Sequence, residues 1–250
     1  MNIPVNKQTL SRLLIVTIGS FCFAYTLPLP ENSSFLDRGD LVAALLFASV
    51  AIFLTWVAAA RRQELFTTVY LELNKLRRMY HISRNLAESS PRLRLWFTDL
   101  HGHLVAYMSE FANRDLNNYK QTNEAFRKLS YHVYTMPELQ GAKEQVLYSD
   151  LLGTTAVVAE SRQKIKELLN ARLSSYSWLM VMMMLTGFVL TVILSAQDSV
   201  MGRLVAGVDI SIGLMLVDLL WELDTMNTEV MVWAKRYVDN IAKLEFRSKK

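Results

Sequence analysis

The side chains with most capacity for chemistry in this 250-residue sequence are four histidines and a group of carboxylates in its last quarter. His101 and His103 are two residues apart, so on a helix they point about 200° from each other and cannot share a metal ion. His81 and His132 stand alone, and the single cysteine, Cys22, supports neither. These spacings call for no metal and no cofactor. The phosphate-binding pattern GxxxxGK[ST], the dinucleotide-binding GxGxxG and the nucleophile elbow GxSxG are all missing from the chain. Nucleotide hydrolysis and α/β-hydrolase chemistry therefore have no foothold, and the chain is not expected to be an enzyme.

The carboxylates are more informative. Asp209 lies within an apolar run at residues 204–221, Asp218 and Glu222 lie four apart near its end, and Asp224 follows. An ionised carboxylate in hydrocarbon costs at least ~2.5–3.5 kcal/mol, so such groups face protein or water. At about 100° per residue, Ser211, Asp218, Glu222 and Thr225 share one polar helix face, while Asp209 is about 180° from Asp218. Two readings stand side by side. In one, the polar face lines a hydrated ion path. In the other, Asp218 and Glu222 emerge at the membrane interface, and Asp209 pairs with Arg203 or lies near the outer surface.

The elements that must position these groups are four apolar runs in two pairs, residues 13–29 with 41–60 and 177–196 with 204–221. Each is near the ~20 residues that carry a helix across a ~30 Å hydrocarbon core. The expected fold is all-α, an integral membrane protein with four transmembrane helices in two hairpins and a long-helix cytoplasmic bundle. The boundaries are a first hairpin at 13–60, a cytoplasmic helical region at 61–176, a second hairpin at 177–221 and a basic cytoplasmic tail at 222–250. A cleaved leader is disfavoured, because Thr26-Leu-Pro-Leu-Pro30 lacks the small-x-small cleavage pattern. Asn32-Ser33-Ser34 matches a glycosylation sequon but reads equally as a polar turn.

Basic residues set the orientation. Of 27 Lys and Arg, only Arg38 and Arg203 fall in the short links within the hairpins. Arg61 and Arg62 end the second run, Arg172 precedes the third, and Lys235 and Arg236 follow the fourth. Positive charge beside membrane ends marks the cytoplasmic side, so both termini and the central region are expected in the cytoplasm of a bacterial inner membrane. The net charge of +4 and pI of about 9.1 then follow from topology and anionic headgroups, with no nucleic-acid partner implied. The cluster Arg247-Ser-Lys-Lys250 reads as a solvated tail or as a contact for anionic lipid.

The central region is helix-patterned. Leu65, Val69, Leu73, Leu76 and Tyr80 form one stripe that continues from the second run without a breaker, predicting a helix of roughly 70 Å from Leu41 to about Glu88. Ser89-Ser90-Pro91 starts a second helix, 92–116, with Leu95, Leu100, Leu104, Tyr107, Met108 and Phe111. A shorter helix at 118–134 ends before Pro137. A last one carries Val146, Leu147, Leu151, Val157, Val158, Ile165, Leu168, Leu169 and Leu173 and is expected to run unbroken into the third apolar run, with Gly153 tolerated at about 1 kcal/mol. Gly202, Ala206, Gly207 and Gly213 permit close helix approach. Met180 and Met182–Met184 read as apolar packing. Phe47, Phe53 and Trp56 in the second run are candidates for a pore constriction, with an interfacial belt the other role for Trp56.

Two membrane hairpins around a long cytoplasmic helical region resemble the bacterial bestrophin-like proteins. The residues that carry the resemblance are Arg61-Arg62, Glu160-Ser-Arg162 through Trp178, and Leu219-Leu-Trp-Glu-Leu-Asp224. Bestrophins are pentameric anion channels with an aromatic or aliphatic neck on the second span, so the resemblance implicates Phe47, Phe53 and Trp56 in a neck. The acids of the fourth run argue instead for cations at the mouth, since acidic rings favour them. The reading is a homo-oligomeric ion channel or channel-like protein in a lipid bilayer, with inorganic ions as cargo, Asp218, Glu222, Ser211, Thr225 and Asp209 on the ion pathway and the three aromatics as constriction. The alternative is a membrane-anchored scaffold or sensor whose cytoplasmic helical bundle binds a protein partner.

Overall fold

The computed structural model describes residues 7–27, 39–112, 119, 122–225, 236, 237, 239 and 241. Every regular element among them is helical: α1 (Lys7–Thr26), α2 (Gly39–Ser89), a 3₁₀ turn (Pro91–Leu93), α3 (Arg94–Ala112), α4 (Asn123–Tyr134), α5 (Ala142–Asn170), α6 (Ser175–Ser195) and α7 (Val200–Thr225). Three described segments, Val42–Ser89, Ala142–Ser195 (in which α5 and α6 are separate helices) and Val200–Thr225, are long and apolar enough to cross a membrane, and Ser11–Thr26 is a shorter apolar helix. The links at 30–38 and the cluster at 247–250 lie outside the described residues.

The chain divides into two compact units, residues 1–61 with 172–226 and residues 62–171 with 227–250. α2 is a single 51-residue helix that contributes to both, as the absence of a breaker at Arg61 predicts. The expected unbroken helix into the third apolar run is corrected. α5 ends at Asn170 and α6 begins at Ser175, with a C-cap at Ala171 and an N-cap at Ser174 whose side chain accepts from the Ser177 N–H at 3.1 Å. Neither proline nor glycine marks this break. It is made by a hydroxyl cap on one side and by Asp224, which accepts the Leu173 N–H at 2.9 Å, on the other.

In the first unit α7 packs against α1 and α6. Small residues allow this approach: a Cβ on Gly207 would stand 2.8 Å from Phe21 Cδ1 of α1, and one on Gly213 would stand 3.0 Å from Phe188 Cε1 of α6. The small-residue run of α7 therefore serves packing within one chain. Phe47 and Ala51 of α2 bury against Leu185 and Phe188, and Ala58 buries with Val181, Leu220 and Leu223.

In the second unit the stripe Leu65, Val69, Leu73, Leu76 and Tyr80 is buried, as is Leu100, Leu104, Tyr107, Met108 and Phe111 of α3. Leu95, expected on that apolar face, is 80% exposed; Trp96 takes the inward position one residue on. On α5 the inward positions are Leu151, Val158 and Ile165, spaced by seven, whereas Val146 is exposed.

Candidate functional site

The polar groups fall into three settings. The first is the carboxylate face of α7. Ser211 is buried, and its hydroxyl donates to the Gly207 carbonyl at 2.7 Å, one turn back. Thr225 does the same toward Trp221 at 2.8 Å. Asp218 and Glu222 are half-buried. Asp218 lines a cleft of about 570 Å³ with Arg12, Val16, Trp178, Met182, Leu214, Val217 and Trp221, so α1, α6 and α7 together frame this acid. Asp209 lines a different cavity, of about 720 Å³, which also takes in Phe47, Phe188, Gln197 and Ser199. The roughly opposite helical phase of the two acids thus places them in separate spaces.

Arg203 has partners other than the Asp209 considered above. It contacts Asp198 at 2.7 Å, and its Nη1 donates to the carbonyls of Ala24, Tyr25 and Leu27. The guanidinium closes the C-terminal end of α1, where carbonyls lack helical partners.

The three candidate constriction residues part company as well. Phe47 is 4% exposed and stacks on Phe188 at 5.2 Å between centroids. Phe53 and Trp56 are 59% and 67% exposed on the surface of the single chain. Packing within the chain fixes Phe47, and leaves Phe53 and Trp56 available to lipid or to a second copy.

The second setting is a node at Asp224, which sequence position alone ranked as a trailing acid. Asp224 is 4% exposed and is flanked by three donors. Arg61 Nη1 donates to its carboxylate at 3.1 Å, the Leu173 N–H at 2.9 Å and Trp178 Nε1 at 3.2 Å. Arg61 Nη2 also reaches the Asp224 carbonyl at 2.6 Å. The carboxylate ties the end of α7 to α2 and to the break before α6. A buried acid–guanidinium contact of this kind depends on additional hydrogen bonds, which Leu173 and Trp178 supply here.

The third setting lies in the second unit, around Glu72 of α2. Tyr107 donates to Glu72 Oε1, and Tyr119 and Tyr237 donate to Oε2 at 2.9 and 3.3 Å. Arg162 of α5 donates through Nη1 to the Tyr107 hydroxyl and through Nη2 to Thr122 at 3.1 Å and Asn123 at 3.0 Å. Its guanidinium lies over the rings of Phe126, Tyr107 and Tyr119 at 4.4, 4.9 and 5.0 Å. Burial pushes the Glu72 carboxyl above its ordinary value, and the hydroxyl donors and Arg162 only partly oppose this. Burial and the neighbouring carboxylate also push the three tyrosines well up, so they remain hydroxyl donors. The sequence signal for this network was a glutamate inside the apolar stripe between Val69 and Leu76, which periodicity assigns to the core.

His132 stacks on Trp96 at 5.8 Å, exchanges hydrogen bonds with its backbone and indole, and lies 5.2 Å from His103. Burial and His132 lower the His103 pKa from its ordinary value. No cluster of three or more metal-ligating side chains occurs among the described residues.

With this geometry in place, the fold is that of the bacterial bestrophin homologues. The structure superimposes on a single-substitution variant of a bestrophin homologue from Klebsiella pneumoniae with a TM-score of 0.69 at 13% identity, covering 95% of this chain and 99% of that one. A second variant of that homologue gives 0.67 at 13% identity, covering 94% and 98%. A crystal structure described as a membrane protein gives 0.67 at 12% identity. No family model and no curated protein sequence matches the chain. Arg61, Arg162, Trp178 and Asp224, which carry the resemblance in sequence, each take part in one of the two buried networks.

Proposed function

We propose that this chain is the subunit of a homo-oligomeric ion channel of a bacterial inner membrane, with four spans and both termini in the cytoplasm. The observation that carries the proposal is the near full-length match to the bestrophin homologues at a TM-score of 0.69. The apolar helices α2, α6 and α7 supply membrane-crossing length, with α1 as the shorter fourth span. Asp218 and Glu222 form an acidic inner mouth that concentrates cations, with Arg12 on the same cleft tempering the field at Asp218. Phe53 and Trp56, exposed on each subunit, form the constriction where copies meet. Ser211 and Thr225 border the path, and Asp209 faces the separate cavity near Phe47.

Reconstitution into liposomes tests this reading. Wild type should pass monovalent cations above empty-liposome leak, and Asp218→Asn/Glu222→Gln should lower cation flux and preference. A protein that passes no ion removes the channel reading and leaves the scaffold alternative, which predicts a stoichiometric soluble partner. Flux that is unaffected by the double substitution retains the channel and removes the acidic mouth.

A further inference from the structure

A cleft of about 470 Å³ lies between α4 and α5 in the second unit, and none of the functional roles above uses it. Three cations line it, Arg127, Arg162 and Lys166, and no carboxylate does so among the described residues. Asn123, Ser130 and Tyr131 add polar groups that can donate to an anion. Its size falls within the range of small-molecule sites.

The state of Arg162 decides what the cleft accepts. This side chain is 3% exposed, and no described residue makes an ion pair with it. Its two terminal nitrogens are taken by Tyr107, Thr122 and Asn123, and no described residue accepts from Nε. The nearest carboxyl, Glu72, is reached only through the Tyr107 hydroxyl. Arg162 therefore has no carboxylate in direct contact among the described residues, and the Tyr107 hydroxyl stands between it and Glu72. Of the acids close in sequence, Glu167 accepts from Gln163 at 2.9 Å, and Glu124 pairs with Lys128 at 3.0 Å while also lying within electrostatic reach of Arg127. A buried guanidinium with no carboxylate in direct contact, lining one cleft with two further cations, suits an anion.

We propose that the α4–α5 cleft binds a phosphate-bearing small molecule, with Arg162 at its base, Arg127 and Lys166 at its rim, and Tyr131 covering the non-phosphate part. Phosphate suits the arrangement because guanidinium groups match its oxygens with paired, charge-assisted donors. The Tyr131 ring is 69% exposed and offers a flat apolar face to an attached ring or sugar. The phosphate has two sources, a soluble monoester or an anionic lipid headgroup. The site is independent of the channel reading and stands or falls on binding alone.

The test uses the full chain in phosphatidylcholine nanodiscs, with phenyl phosphate as the probe and calorimetry as the readout. Phenyl phosphate should bind saturably, and phenol should not. Arg127→Gln/Lys166→Gln changes the rim while leaving the buried network intact, and should weaken binding by about tenfold or more, the factor expected for loss of charge-assisted contacts. Repeating the titration in nanodiscs that contain phosphatidylglycerol separates the sources. Competition that disappears in the double variant identifies a headgroup occupant, whereas unchanged binding identifies a soluble ligand. Absence of binding by wild type in phosphatidylcholine, or equal binding by wild type and the double variant, overturns the proposal. A single cooperative unfolding transition in each protein without probe excludes misfolding as the cause of a loss.

Discussion

Two acids in this chain are buried, each at the centre of its own network. Asp224 accepts from an arginine, an indole and a backbone N–H, so truncating it strands three donors. Asp224→Ala should destabilise the first unit by about 3–5 kcal/mol, as expected for breaking a buried ion pair, and Asp224→Asn should cost less because it keeps an acceptor. Thermal unfolding in detergent reads both. Glu72 is different, since burial raises its pKa above the ordinary 4.5 of a glutamic acid. A raised folded-state pKa gives a contribution that is full below the unfolded value and lost as pH rises through the folded value. Stability should therefore decline as pH is raised upward from 4.5 through that higher value, and Glu72→Gln should flatten the profile. Unfolding midpoints of the two proteins across this range check the slope; parallel profiles would count against the assignment.

Between elements, the decisive contacts are close approaches and caps. Gly207 meets Phe21 so closely that any side chain must displace the ring. Gly207→Val should loosen α1 from α7 and lower the unfolding midpoint, with partial recovery when Phe21→Ala is added. Overpacking of this kind typically costs about 1–3 kcal/mol. At the break between α5 and α6, Ser174→Ala removes the acceptor for the Ser177 N–H and should cost about 1 kcal/mol. A larger loss there would mean that the hydroxyl also holds the neighbouring chain in place.

For the molecule as a whole, orientation and assembly each have a direct measurement. Cysteines placed by Ser33→Cys and Asp198→Cys should react with an impermeant reagent from the periplasmic side. Labelling of either from the cytoplasm would reverse the proposed topology. The exposed apolar side chains Leu45, Ile52, Phe53 and Trp56 need hydrocarbon or a second copy against them. Light scattering of the purified protein in detergent should give the mass of a homo-oligomer. A monomer would leave Phe53 and Trp56 facing lipid and remove them from any constriction.

Length and apolarity of the runs were sufficient to specify the all-helical membrane class. Periodicity alone identified the inward stripe from Leu65 to Tyr80, because a 3.6-residue repeat fixes which residues share a face. The same reasoning separated Asp209 from Asp218 by half a turn, and the fold places them in different cavities. It did not reveal the break at 171–174, where a hydroxyl cap and a distant carboxylate interrupt a sequence free of proline and glycine. Nor did it reveal that Phe47 is held on Phe188, or that Arg203 takes Asp198 and the end of α1. These outcomes depend on which distant segments meet, and spacing along one helix carries no information about its partners. Arg162 shows the division most clearly. Its sequence gives a cation beside an apolar repeat, and only tertiary packing encloses that charge among three aromatic rings at the base of a basic cleft.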